Sequence, residues 1–140
     1  MIRHWIVLRH AHAEAQSADG ADVSRELSER GRDEARRAAD ALAKMLDGRV
    51  PRILSSPAAR AEATAQIVAE RLGDTVGFNA RIYDGTPGTL LDVFNATEPT
   101  ETVLLVGHNP GVEELVALLV DGRSQAHRGM PTAGMAVIDV

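Results

Sequence analysis

Trp5-Ile6-Val7-Leu8-Arg9-His10-Ala11 is a short apolar run followed at once by two basic side chains. The run predicts a buried opening strand over residues 3–8. In open α/β sheets, ligands bind just beyond the carboxyl ends of the strands. An arginine and a histidine at that position can hold an anion and attack it.

Apolar runs and helical patterns alternate along the rest of the chain. The predicted strands cover residues 52–55, 78–83, 102–106 and 135–140. Helices are expected from a Ser28 N-cap to Gly48 with an apolar stripe that includes Met45, from Ser56-Pro57 to Gly73, from Pro87 through Phe94, and over 112–120. This alternation predicts an α/β fold, a three-layer sandwich with a mostly parallel central sheet flanked by helices on both faces. Residues 1–140 are expected to form a single domain.

The composition excludes several classes of function. The 140 residues carry a net charge of -5, so the chain has no overall attraction for nucleic acid or an anionic membrane. It contains no cysteine, which excludes disulfides and thiolate chemistry. No apolar run is long enough for a membrane span, and no signal-peptide pattern is present. We therefore expect a cytoplasmic protein, and a monomer.

Polar clusters follow three of the predicted strands. Arg9 and His10 follow the first, Ser56 and Arg60 follow the second, and His108 follows the run at 102–106. If these strands are parallel neighbours, the clusters meet at one edge of the sheet beside a helix N-terminus. Two arginines and two histidines around one concavity suit a phosphoryl group, whose charge near neutral pH is about -1.5 to -2.

These residues resemble three signatures of the histidine phosphatase superfamily, also called phosphoglycerate-mutase-like. Arg9-His10-Ala11 resembles its Arg-His-Gly signature. Residues 55–65 resemble Ser-Ser-Pro-x-x-Arg-Ala-x-x-Thr-Ala, and residues 106–110 resemble its strand ending in Gly-His. The short length, Ala11 after the histidine and residues 22–31 are similar to the compact SixA branch, whose members are protein phosphohistidine phosphatases.

The resemblance implies a role for each residue of the cluster. His10 would be the nucleophile that forms a phosphohistidine. Arg9 and Arg60 would hold the phosphoryl oxygens, and His108 would donate to the same oxygens. Ser56 would orient the pocket or touch the substrate. No metal or other cofactor is implied, because the arginines take the place of a metal.

Four further residues have two interpretations each. Asp84 is either a general acid or a turn aspartate before a glycine. His12 is expected at the pocket rim, in contact with substrate, although a His-x-His pair after a first strand also resembles the metal site of amidohydrolases, a much longer fold. Arg25 and Arg128 are expected to be solvated, with docking of an acidic protein surface as the alternative.

The preferred function is therefore a metal-independent phosphatase for protein phosphohistidine, acting on a phosphorylated protein such as a histidine-phosphotransfer protein. An imidazole leaving group has a pKa near 6.5 and needs no acid, so this function tolerates an absent or badly placed Asp84. One alternative is a phosphatase for small phosphate esters or phosphoserine-type proteins. A phosphate-binding regulatory module that is not an enzyme is another.

Overall fold

A computed structural model describes residues 4–98, 102–122 and 129–139 of the chain. Its strands are β1 (His4–Arg9), β2 (Arg52–Ser55), β3 (Val76–Phe78), β4 (Val103–Gly107) and β5 (Met135–Asp139). Its helices are α1 (Glu29–Leu46), α2 (Ala59–Leu72), α3 (Pro87–Asn95) and α4 (Gly111–Asp121), with 3-10 turns at Asp22–Ser24 and Ala80–Ile82. The strands form one sheet in the order β3-β2-β4-β1-β5, in which only β5 runs antiparallel to its neighbour. The predicted α/β sandwich with a mostly parallel sheet is confirmed.

Each face of the sheet is covered by a pair of helices. Helices α1 and α2 pack against one face, where Ile6, Leu8 and Leu104 point into a core with Leu42 and Val68. On the opposite face, α3 and α4 cover a second core, formed by alternate strand residues and by side chains of the two helices: Trp5, Val7, Val103, Leu105, Leu90, Phe94 and Leu115. The central strands are buried on both sides, which explains why their sequences are continuous apolar runs rather than alternating patterns.

Helix α1 begins and ends with the signals that the sequence predicts. The Ser28 hydroxyl accepts a hydrogen bond from the Gly31 N–H at 3.0 Å and caps the helix. After Leu46 the chain turns through Asp47 (φ 48°) and Gly48 (φ 86°), both in the left-handed region. The expectation that Met45 belongs to the buried stripe is wrong, since its side chain lies at the surface.

Two predicted boundaries differ from the structure near the polar edge of the sheet. Helix α2 begins at Ala59, not at Ser56-Pro57, because the Ser56 hydroxyl accepts the Ala58 N–H in a turn that precedes the helix. The strand predicted over 78–83 is instead the short β3, which ends at Phe78. The Asn79 side chain then accepts the Arg81 N–H and starts a 3-10 turn, whose Ile82 is buried in the core.

The register of the sheet brings the polar clusters to one edge. Arg9 pairs with Gly107, and Ser55 pairs with Val106, so β1, β4 and β2 end at the same level. The residues that follow these three strands are therefore neighbours. In the part of the chain that the structure describes, no helix is both long and apolar enough to cross a membrane.

Candidate active site

His10 is held rigidly at the end of β1. Its N–H donates to the Gly107 carbonyl at 3.0 Å, and its carbonyl accepts the Ala133 N–H at 3.1 Å. The ring is buried, and its Nδ1 lies 2.7 Å from the Ala11 carbonyl oxygen. A carbonyl can only accept, so Nδ1 carries the ring proton and Nε2 carries the lone pair. The neutral ring therefore has an unprotonated Nε2.

His108 faces His10 from the end of β4, with ring centroids 5.1 Å apart. Its Nε2 lies 2.8 Å from the Ser56 hydroxyl oxygen, which also accepts the Ala58 N–H. A ring protonated on Nδ1 accepts the Ser56 hydroxyl proton at Nε2 and keeps one N–H for another partner. Nδ1 is buried and has no hydrogen-bond partner among the described residues. Ser56 therefore orients His108.

Hydrogen bonds from the outer guanidinium nitrogens also anchor the two arginines. Arg60 donates from Nη1 to the Asp22 carbonyl at 2.7 Å and from Nη2 to the Asp22 carboxylate at 2.9 Å. Arg9 donates from Nη1 to the Met130 carbonyl at 2.9 Å. In both side chains Nε is buried and lacks a partner among the described residues. Within the described residues, each guanidinium therefore has an unused Nε–H on the edge that Nε shares with Nη2, and this edge can bind an oxyanion through two parallel hydrogen bonds.

Burial and positive charge keep both histidines neutral. Desolvation lowers the pKa of His10 to about 4, assisted by the charges of Arg60, Arg9 and Arg25 against a smaller opposing effect of the Ala11 hydrogen bond. Desolvation also lowers the pKa of His108 to about 3, with His10 and Arg60 acting in the same direction. Neutral imidazoles beside fixed guanidinium charges form a site that favours an anion and leaves a nitrogen lone pair unprotonated.

Asp22, Tyr83 and Arg25 belong to this cluster and were not predicted for it. The Asp22 carboxylate accepts bonds from the Tyr83 hydroxyl at 2.5 Å and from Arg25 Nε at 2.9 Å, in addition to Arg60. The Tyr83 ring stands edge-on against His108, 5.4 Å between centroids. The expectation that Arg25 is simply solvated is wrong. The only sequence signal for Asp22 and Arg25 was their position in the SixA-like stretch at residues 22–31. Nothing in the sequence indicated that Tyr83 joins the cluster.

The structure brings His10, Arg9, Arg60, His108 and Ser56 together, as the sequence predicts. His12 is partly buried beside them, and its Nδ1 lies 2.6 Å from the Ser28 hydroxyl oxygen. Asp84 is exposed, and no described hydrogen bond joins it to the cluster. Arg128 lies outside the described residues. Within those residues, no three histidine, aspartate or glutamate side chains are grouped to hold a metal ion.

The family model named Histidine phosphatase superfamily (branch 1) matches residues 5–90. This segment contains Arg9, His10, Arg60 and the whole 22–31 stretch. The chain belongs to the histidine phosphatase superfamily. No curated protein matches the sequence significantly.

Several solved structures share the fold over nearly the whole chain. The protein assigned as the phosphohistidine phosphatase SixA of Agrobacterium tumefaciens is 33% identical, with a TM-score of 0.86, and the match covers 98% of this chain and 90% of that one. A protein histidine phosphatase SixA complexed with tungstate is 28% identical, with a TM-score of 0.82 and coverage of 96% and 86%. A mycobacterial glucosyl-3-phosphoglycerate phosphatase, 23% identical over 96% of this chain and 90% of its own, has a TM-score of 0.72 and shares the fold alone.

Proposed function

We propose that this histidine phosphatase removes the phosphoryl group from a phosphohistidine of another protein, such as a histidine-phosphotransfer protein, by way of a phosphohistidine on His10. The observation on which the proposal depends is the hydrogen bond from His10 Nδ1–H to the Ala11 carbonyl. This hydrogen bond leaves Nε2, with its lone pair, as the attacking atom. It also stabilises the positive charge that the ring gains when Nε2 is phosphorylated.

The first step is an in-line transfer. His10 Nε2 forms a bond to phosphorus while the bond from phosphorus to the substrate nitrogen breaks, and the electron pair of that bond leaves with the substrate ring. The Nε edges of Arg9 and Arg60 bind the phosphoryl oxygens, and the free Nδ1–H of His108 donates to them in the same transition state.

The second step is hydrolysis of the phosphohistidine on His10. Water forms a bond to phosphorus, the bond to Nε2 breaks, and its electron pair returns to the His10 ring. Inorganic phosphate leaves as H2PO4⁻ with both protons of the water, and the neutral His10 is restored with its Nδ1 proton. The same donors serve both steps, because each step places negative charge on the same phosphoryl oxygens.

The exposed position of Asp84 supports phosphohistidine as the substrate. An alkoxide leaving group needs a proton from a nearby acid, whereas a phosphohistidine that is protonated on its other ring nitrogen leaves as neutral imidazole. The SixA relatives support the same substrate class. Asp22 and Arg25 also line an open groove of about 490 Å³ along residues 15–21, which leaves room for a protein-borne group.

A substrate panel tests the proposal. The purified chain is assayed on a phosphohistidine protein, a phosphoserine peptide and a small aryl phosphate ester, alongside His10→Ala and His4→Ala. We expect the highest kcat/KM on the phosphohistidine protein, no turnover by His10→Ala, and wild-type rates for His4→Ala, since His4 pairs with Asp139 at the other end of β1. A wild type that prefers the ester would instead assign the site to small phosphate esters.

The same panel tests the role of Asp84. If Asp84 swings in as a general acid for esters, Asp84→Asn slows the aryl and serine esters and leaves the phosphohistidine reaction within about twofold. Equal slowing of all three substrates would contradict the argument from the leaving group.

Binding of phosphate with no turnover of any substrate would favour the regulatory module.

A further inference from the structure

The Asp22 carboxylate touches the phosphoryl site, and the proposed mechanism does not use it. Its Oδ2 accepts from Arg60 Nη2 at 2.9 Å and from the Tyr83 hydroxyl at 2.5 Å, and its Oδ1 accepts from Arg25 Nε at 2.9 Å. Three donors from three separate parts of the chain therefore fix one carboxylate. A negative charge in this site repels the phosphoryl group that the site is proposed to bind, which points to a second effect of the carboxylate on the substrate.

Hydrogen bonds keep the Asp22 carboxyl group ionised around neutral pH. The Tyr83 hydroxyl bond, followed by the bond from Arg60, holds the pKa of Asp22 far below its usual range. The carboxylate therefore cannot act as a proton donor. The pKa of Tyr83 is raised by the same hydrogen bond, so its hydroxyl stays protonated and stays on Asp22.

The position of Asp22 places its charge on the outer side of the site. Its side chain is 54% exposed, whereas that of Arg60 is 6% exposed, so the carboxylate lies between the guanidinium and solvent. If Arg60 Nη2 donates one hydrogen to Asp22 Oδ2 and the other to a phosphoryl oxygen, each at about 2.9 Å and about 120° apart, the two oxygens lie about 5 Å from each other. An in-line transfer sends the leaving group away from His10, which is buried, and Asp22 is an exposed carboxylate of the same cluster.

We propose that Asp22, held in place by its three donors, selects substrates by the charge of the leaving group, favouring a cationic group and rejecting an anionic one. The inference rests on the phosphoryl site of the proposed function. A phosphohistidine ring that is protonated on its second nitrogen presents both a positive charge and an N–H to the carboxylate. Asp22 keeps that ring protonated until the bond to phosphorus breaks and the ring leaves as neutral imidazole.

A matched pair of two-carbon esters isolates the charge from all other features of the substrate. O-phosphoethanolamine carries an ammonium group, phosphoglycolate carries a carboxylate in its place, and ethyl phosphate is the uncharged reference. The kcat/KM ratio of the cationic to the anionic ester is measured for the wild type, Asp22→Asn and Asp33→Asn. Asp33 is an exposed residue of α1 that pairs with Arg36, so its variant changes the net charge equally and away from the site.

We expect Asp22→Asn to lower the ratio of kcat/KM for the cationic ester to that for the anionic ester about tenfold. This is the effect of removing one partly screened charge near the leaving group. Asp33→Asn should leave the ratio unchanged. An equal loss on all three esters would overturn the proposal and make Asp22 a positioning residue for Arg60. An equal gain on all three would also overturn it, because Asp22 would then merely compete with phosphate.

Tyr83→Phe separates the carboxylate from its hydroxyl partner. The ring and the Asp22 charge both remain, so the charge preference should stay within about threefold of wild type. Loss of the preference in Tyr83→Phe alone would assign selection to the hydroxyl and overturn the proposal.

The ester ratio does not depend on phosphohistidine hydrolysis, so the two proposals can fail separately. Where an ester is not turned over, its inhibition constant against the best substrate gives the corresponding ratio for binding, which Asp22→Asn should shift in the same direction. A wild type that hydrolyses no phosphohistidine but shows the Asp22-dependent ratio would reject the proposed function and keep this inference.

Discussion

Arg60 is the residue at which anchoring and ligand binding are most clearly divided. Its Nη1 and Nη2 atoms hold Asp22, and its buried Nε has no partner among the described residues. Arg9 shows the same division, with the Met130 carbonyl as its anchor. A guanidinium anchored at one end cannot rotate, so its free edge is already oriented when the phosphoryl group arrives. The shape of the side chain therefore matters as much as its charge.

Arg60→Lys tests shape against charge. The substitution keeps the positive charge and removes the two-pronged edge, and we expect kcat/KM to fall about 100- to 1000-fold, as for loss of a donor aimed at transition-state charge. The matched control is Arg71→Lys, an exposed position on the same helix that pairs with Asp40. A rate near wild type for Arg60→Lys would reduce the role of Arg60 to that of a simple charge.

At the scale of elements, α2 is joined to the loop after β1 through one buried hydroxyl. Thr64 accepts the Ala11 N–H at 3.0 Å and donates to the Arg60 carbonyl at 2.8 Å. This link sets the distance between the segment that holds His10 and the helix that holds Arg60. Two halves of the proposed site are thereby fixed to each other through one buried hydroxyl.

Thr64→Val removes the link and keeps the shape of the side chain. It leaves the buried Ala11 N–H without an acceptor, which should lower the free energy of unfolding by about 1–3 kcal/mol. The measurement is urea unfolding of Thr64→Val beside Thr89→Val, whose hydroxyl lies at the exposed start of α3. An unchanged midpoint for Thr64→Val would show that another group takes the Ala11 N–H.

The sequence predicted the parts of the site that follow strands and missed those held by a loop. Arg9, His10 and His108 could be placed together because parallel strands end at one edge. Asp22 could not, because its partners Arg60 and Tyr83 lie 38 and 61 residues further along the chain. Tyr83 was assigned to a strand, and its true place depends on the turn that Asn79 starts.

The whole molecule surrounds a cationic site with acidic charge. The chain has a net charge of -5, yet Arg9, Arg25 and Arg60 all act on His10 in the direction that lowers its pKa. Glu34 and Glu113 oppose the loss of the Arg9 proton that burial favours. Burial disfavours the protonated form of His10 and His108 and has little effect on the neutral form. Protonation of these rings is therefore coupled to the stability of the fold.

That link predicts how stability depends on pH. An unfolded histidine binds a proton as the pH falls through about 6.5, but native His10 does so only near pH 4 and His108 only near pH 3. Between pH 6.5 and 4 the unfolded chain therefore binds more protons than the native one, so acidification lowers the free energy of unfolding by about 3 kcal/mol for each ring. Above pH 6.5 both states hold neutral rings, and this contribution is constant.

Urea unfolding at intervals from pH 7 to pH 4 measures the effect, and the substitutions His10→Gln and His108→Gln remove it one ring at a time. Each variant should lose stability less steeply than the wild type across this range, whatever its stability at pH 7. Asp22 has a pKa below its usual range, so its stabilisation is lost at lower pH, under about 4. Equal slopes in the wild type and both variants would mean that the native rings bind protons as readily as unfolded ones, which would contradict the neutral nucleophile on which the proposed chemistry depends.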